Sequence, residues 1–210
     1  MLIKICGITN LEEIKALNEL KPDYIGFIFT KSKRQVDIKK AKTLFNSLDK
    51  DIKSVGVFRN NEMQFILEVL KEIPLYAVQL HGDEDIAFIN ELKKHTNCNI
   101  WKAYGVETKE DIITAMNYPV DTLILDGSNP GSGKIFPWEC LDGIKFNKTV
   151  ILAGGINEDN VIEGIEKVKP DGIDLSSGVE IIDKNGVRTK SREKIERLIK
   201  KVRYYDERKI

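Results

Sequence analysis

Cys6 closes the first apolar run of the chain, Leu2-Ile3-Lys4-Ile5-Cys6, and Gly7 follows at once. A thiol there is either a small packing residue, as free cysteine often is, or a proton-transfer or nucleophilic group whose reactivity depends on its neighbours. Asp126 closes a second unbroken run, Leu123-Ile124-Leu125. It is either a cap for the next loop or an acid tuned by partial burial. Gly154-Gly155 and Ser176-Ser177-Gly178 each follow a further run. Small residues let backbone N–H groups approach a ligand, and helix N-termini favour anions. Two such loops point to phosphate binding rather than to two ordinary tight turns. Arg34 ends the basic loop Phe29-Thr30-Lys31-Ser32-Lys33-Arg34. Its planar fork could clamp the carboxylate of an aromatic acid, or the loop is a solvated basic face. His81, in Gln79-Leu80-His81-Gly82, has no Ser-His-Asp or Cys-His-Asn set beside it in sequence. It stands as a substrate-contact candidate against a structural role. Cys98, Cys140, Trp101 and Trp138 read as packing residues.

The elements that must carry these side chains follow from the apolar pattern. Eight short runs recur: Leu2–Cys6, Tyr24–Phe29, Ser54–Phe58, Ala77–Leu80, Ile100–Ala103, Thr122–Asp126, Val150–Ala153 and Gly172–Leu175. Each is bounded by Gly, Pro or polar residues and reads as a strand buried on both faces. Helical spacing links Leu11, Ile14, Leu17 and Leu20. It recurs in Phe65, Val69 and Ile73, in Ile86, Ile89 and Leu92, and in Ile195, Leu198, Ile199 and Val202. Expected helix starts are Thr9 or Asn10, Asn60 or Asn61, Asp83, Thr108 and Asn157. Eight βα units in 210 residues predict an α/β fold, a (β/α)8 TIM barrel forming one domain over residues 1–210. The rival doubly wound sheet lacks its Gly-x-Gly-x-x-Gly after the first strand. Parallel strands with right-handed crossovers bring all the strand C-terminal ends to one rim, so the candidate residues form one site.

Composition narrows the partners. Lys plus Arg and Asp plus Glu number 33 each, which argues against a general nucleic-acid footprint. No apolar run reaches the roughly 18 residues of a membrane span. No leader pattern opens the chain. The three cysteines are widely spaced and show no metal-ligand spacing, so neither disulfides nor a metal site are expected, and the compartment expected is the cytoplasm. The Gly-rich stretch from Gly127 to Lys134 lacks the spacing of a P-loop and reads as a mobile cover.

Taken together, the motifs closely resemble the phosphoribosylanthranilate isomerases of tryptophan biosynthesis. The match runs from Lys4-Ile5-Cys6-Gly7 through Ser32-x-Arg34, Val55-Gly56-Val57-Phe58, Gln79-Leu80-His81-Gly82 and Leu125-Asp126. It continues through Gly131-Ser132-Gly133-Lys134-x-Phe136-x-Trp138 and Leu152-Ala153-Gly154-Gly155-Ile156 to Ser176-Ser177-Gly178-Val179-Glu180. The resemblance implies a cofactor-free Amadori rearrangement of N-(5-phosphoribosyl)anthranilate. It further implies Cys6 as the base that removes the C2′ proton, Asp126 as the acid that protonates the ring oxygen, and Arg34 as the contact of the anthranilate carboxylate. Gly154, Gly155, Ser177 and Gly178 would be the phosphate cradle. A thiolate is a weak enough base to be regenerated at neutral pH if its pKa is brought down from about 8.5, which depends on neighbours the sequence does not reveal. The expected partner is a phosphorylated small molecule, with no nucleic acid, membrane or metal, and the chain a monomer or homodimer. Three departures stand out: Lys33 replaces a usual Pro, Pro130-Gly131-Ser132-Gly133 replaces Gly-Gly-Thr-Gly, and Arg188-Thr189 replaces Lys-Asp, which removes a carboxylate. The competing readings are another phosphate-binding barrel, of the indole-3-glycerol-phosphate synthase or pentose-phosphate epimerase kind, and a non-catalytic phospholigand-binding barrel.

Overall fold

The computed structural model describes residues 1–127, 136–141, 143–184 and 186–208. Residues 128–135, which hold Pro130 and the motif Gly131–Lys134, lie outside the described residues, so the expected cover loop does too.

Eight parallel strands close a barrel in sequence order, β1 (Leu2–Cys6), β2 (Tyr24–Ile28), β3 (Lys53–Phe58), β4 (Ala77–Leu80), β5 (Asn99–Val106), β6 (Thr122–Gly127), β7 (Thr149–Leu152) and β8 (Gly172–Leu175). All eight expected runs are strands. β5 continues past Ala103 because Gly105 and Val106 pair with Asp126 and Gly127 of β6, so a ladder that sequence periodicity does not reveal carries Asp126 to the rim.

The helices are α1 (Leu11–Leu20), α2 (Ile38–Asn46), α3 (Met63–Glu72), α4 (Ile86–His95), α5 (Lys109–Met116), α6 (Val161–Val168) and α7 (Arg192–Glu207). Between β6 and β7 the described residues hold only a 3-10 turn, Trp138–Leu141, so the sixth of the eight expected βα units shows no α-helix among them. After β8 the chain makes a hairpin, β9 (Glu180–Ile182) with β10 (Arg188–Lys190), before α7.

Two of the expected caps hold: Asn10 and Thr108 each close a capping box. Three shift. Asn60 and Asp83 are engaged with each other, Asn60 Nδ2 donating to Asp83 Oδ2 and Asp83 N to Asn60 Oδ1, so Asp85 caps α4 instead. Asn61 Oδ1 accepts from Arg59 N, and α3 starts after Glu62 without a side-chain cap. Asn160, not Asn157, precedes α6.

Strand alternation divides the core. Outward residues such as Ile3, Ile5, Phe27 and Val78 pack with the helices, and inward residues such as Val55, Ala103, Ile124 and Ile151 fill the barrel. Tyr24, Tyr76 and Trp101 close its N-terminal end, the Tyr24 and Trp101 rings meeting edge to face at 5.1 Å. That plug leaves the C-terminal end as the open one. Among the described residues no helix is long and apolar enough to cross a membrane.

Candidate active site

The open rim holds a cavity of about 220 Å³ lined by Cys6, Arg34, His81, Asp126, Gly154, Gly155 and Ser177. The structure therefore brings together every candidate that the sequence singled out except Gly178. That residue stands behind the lining, in the 3-10 turn Ser177–Val179. A Cβ on it would lie 2.1 Å from the Ile156 carbonyl oxygen, so its lack of a side chain lets the two small-residue loops touch. Cys98 and Cys140 are half-buried away from this cavity, and Trp101 and Trp138 are buried packing residues.

Cys6 ends β1 with 7% of its surface exposed. Gly26 of β2 makes room for it, since a Cβ there would stand 2.7 Å from Sγ. Burial pushes the thiol pKa up; the charge of Lys4 opposes this, Asp174 adds to it, and Lys190 opposes it. Removing Sγ from water outweighs the nearby ammonium groups, so burial favours the neutral thiol over the thiolate.

Asp126 is buried at the end of β6. Its Oδ1 accepts from Gly127 N at 2.7 Å, and its Oδ2 lies 3.3 Å from His81 Nε2. The two atoms approach without forming a hydrogen bond, so Nε2 has no hydrogen-bond partner among the described residues. Gln79 Nε2 and His81 Nδ1 are 3.2 Å apart. His81 thus orients beside the carboxylate and faces the cavity.

Gly154 passes against Asp126: its φ is +78°, and a Cβ would meet Asp126 Oδ1 at 2.8 Å. Only glycine adopts that backbone freely and fits. Asn157 and Asn160 both donate through Nδ2 to Gly155 O, at 3.2 and 3.0 Å. These bonds fix the loop after β7 that is offered as the anion cradle.

Arg34 does not present a bare guanidinium. Its Nε and Nη2 donate to the two Glu180 carboxylate oxygens, the Nη2 bond measuring 2.7 Å. Lys190 Nζ also donates to Glu180 at 2.8 Å, and Arg188 Nη1 lies 3.6 Å away. One carboxylate therefore sits among three cations. Nη1 of Arg34 makes neither of the bonds to Glu180. Arg34 and Lys190 hold the Glu180 pKa at about 2 against its burial, which acts the other way. Lys33 is exposed in the preceding loop. At the Arg188-Thr189 departure, Thr189 pairs with Ile181 in the hairpin. Lys190 is the buried cation, reaching Ser176 O at 3.0 Å, and Ser191 Oγ caps α7.

Three of the five buried polar side-chain atoms without a hydrogen-bond partner among the described residues, Gln79 Oε1, His81 Nε2 and Asp174 Oδ1, belong to residues lining this cavity. Native interiors pair such groups, so their concentration marks a surface shaped for a polar ligand.

A family model, N-(5'phosphoribosyl)anthranilate (PRA) isomerase, matches residues 3–201. The chain belongs to the phosphoribosylanthranilate isomerase family. It is an isomerase with the family's barrel. An N-(5'-phosphoribosyl)anthranilate isomerase of Clostridium beijerinckii is 48% identical, with 96% of each chain covered. A structure of monomers generated from the dimeric phosphoribosylantranilate isomerase of Thermotoga maritima superposes with a TM-score of 0.83 at 36% identity, covering 97% of this chain and 98% of that one. A phosphoribosylanthranilate isomerase solved with reduced 1-(o-carboxyphenylamino)-1-deoxyribulose 5-phosphate gives a TM-score of 0.83 at 34% identity and the same coverage.

Within this family member, sequence reasoning missed Lys4, Gln79, Asp174, Glu180 and Lys190. A signal existed for two of them. Lys4 and Asp174 are charged residues inside otherwise apolar strand runs, and such residues are rarely buried without a partner. Glu180 and Lys190 meet Arg34 only through the hairpin, which no local pattern announces.

Proposed function

We propose that the chain converts N-(5-phosphoribosyl)anthranilate to 1-(2-carboxyphenylamino)-1-deoxyribulose 5-phosphate in tryptophan biosynthesis, with Asp126 as general acid and Cys6 as general base. The observation that carries this reading is that a strand-end thiol on β1 and a strand-end carboxylate on β6 line one cavity, whose rim also holds the Gly154-Gly155 and Ser177 loops. The phosphate is held by Gly154, Gly155 and the Ser177–Gly178 turn, and the anthranilate carboxylate by Arg34. His81 steadies Asp126 and contacts the substrate.

Asp126 gives a proton to the ring oxygen as the C1′–O bond breaks, and the aniline nitrogen becomes an iminium. The Cys6 thiolate then takes the acidified C2′ proton. The resulting enol loses its C2′ hydroxyl proton as C1′ takes up a proton, leaving the C2′ ketone. C1′ is reduced as C2′ is oxidised, so the electrons balance within the substrate. Because the resting thiol is neutral, the thiolate is a minor form. Each proton transfer contributes on the order of 10²–10⁴-fold, and anchoring the phosphate keeps the sugar in register with both groups. We further read the chain as one catalytic domain working in the cytoplasm as a monomer or homodimer on this phosphorylated small molecule.

The test is to generate the substrate in situ and follow the loss of its fluorescence. Wild type turns it over, while Cys6→Ser and Asp126→Asn each lose roughly 10²-fold or more in kcat. Absence of turnover by wild type removes the substrate assignment; full activity of Cys6→Ser removes the base.

A further inference from the structure

Lys4 and Asp174 play no part in the scheme above, yet they occupy the layer of the barrel beneath the thiol. β1 and β8 place Lys4 opposite Asp174 in register. Lys4 is fully buried, and its Nζ lies 2.8 Å from Asp174 Oδ2. Side chains two apart on a strand share a face, so Lys4 and Cys6 enter the interior from the same side of β1. Asp174 lines the cavity with Cys6 and Asp126, and its Oδ1 has no hydrogen-bond partner among the described residues. An ion pair is a poor filler for a barrel interior, where apolar residues of similar volume stabilise at least as well; Ile124, Ile151 and Ala153 fill the neighbouring strands in that way.

We propose that Lys4 and Asp174 are positioning residues for Cys6: the Lys4 ammonium is the counter-ion of the Cys6 thiolate, and Asp174, by holding that ammonium, limits how strongly it acts. The proposal rests on Cys6 being the base. A lone buried ammonium would keep Cys6 ionised but make it a weak base, since basicity falls as the pKa falls. With Asp174 competing for the same ammonium, the thiol rests protonated and its thiolate, once formed, retains the strength to remove a carbon-bound proton. The opposite influences of Lys4 and Asp174 on the thiol agree with this arrangement. The other titratable or charged groups facing Cys6 are Lys190 from β10, Arg34 from the loop after β2, and, across the cavity, His81 just after β4 and Asp126 on β6. Glu180 neutralises part of Arg34 and Lys190. None of these side chains is itself replaced in the Lys4 or Asp174 variants.

The test is the pH dependence of Cys6 alkylation by iodoacetamide in the full chain. The Cys6 peptide is quantified by mass so that Cys98 and Cys140 do not interfere. Lys4→Met is expected to slow alkylation at a fixed pH below the midpoint by about tenfold, one pH unit. Asp174→Asn is expected to accelerate it. The double variant, which removes both charges together and guards against misfolding of either single one, is expected to have a midpoint above wild type. The acidic limb of kcat/KM should move in the same order. Damage that is merely structural would not move the two single variants in opposite directions. Unchanged midpoints, shifts of both single variants in one direction, or a double variant at or below wild type overturn the proposal, even where Cys6→Ser is inactive. If the midpoints move as expected and the kcat/KM limb stays still, the pair acts on Cys6 as described, and it is the assignment of Cys6 as base that fails.

Discussion

Glu180 lies between Arg34, Lys190 and Arg188, and it holds the Arg34 fork through Nε and Nη2. Replacing it with Gln keeps the volume but frees the guanidinium to swing and leaves Lys190 buried without its counter-ion. The expected result is a rise in KM of about tenfold, near 1.4 kcal/mol, with a smaller change in kcat, read from steady-state kinetics. An equal loss in kcat would mean that Glu180 acts on the chemical step. Arg34 was legible in the sequence as a basic residue in a rim loop. Its partner was not, because Glu180 is far away in the chain and reaches Arg34 only when β8 closes against β1.

Loops and the hairpin set the next scale. The turns after β7 and β8 touch where Gly178 meets the Ile156 carbonyl. A methyl group at that place must push them apart, so Gly178→Ala is expected to weaken phosphate-ester binding, measured as a loss of competitive inhibition by inorganic phosphate, while Cys6 alkylation stays as in wild type. Hairpin β9–β10 is tied to the barrel through Glu180, Lys190 and α1, Lys190 N donating to Glu13 Oε1 at 2.8 Å. The Glu180 carboxylate, held at about 2 by Arg34 and Lys190, has a folded pKa below its unfolded value of about 4.3. Its contribution to stability is therefore present above that unfolded value and is lost as pH falls from about 4.3 to 2, on the order of 3 kcal/mol. Denaturant unfolding across this window should show the loss in wild type and not in Glu180→Gln; parallel curves would show that the pair contributes nothing net. Strand runs and two capping boxes were readable locally at this scale. The shifts to Asp85 and Asn160 were not: Asp83 is taken by Asn60 far away in the chain, and the Asn157 side chain by the turn from Gly155 to Asp159.

Across the whole molecule, the cavity draws its lining from the ends of strands around the closed barrel. A ligand bound there bridges the β1 and β8 seam to the far side at β4 and β6. A reduced analogue of the product should stabilise the chain by about 2.7 kcal/mol at a hundredfold excess over Kd, seen as a rise in Tm. In Arg34→Ala that rise should shrink, and an equal rise in the variant would place the carboxylate contact elsewhere.

The sequence by itself determined the eight strand runs, their gathering at one rim, and the positions of Cys6, Arg34, Asp126 and the small-residue loops, because buried parallel strands and glycine turns write themselves into local pattern. Tertiary structure alone decided the charge state of Cys6, the pairing of Lys4 with Asp174, and the shielding of Arg34 by Glu180. The physical reason is that desolvation and Coulomb interaction depend on distances through space, and barrel closure sets these between residues at opposite ends of the chain.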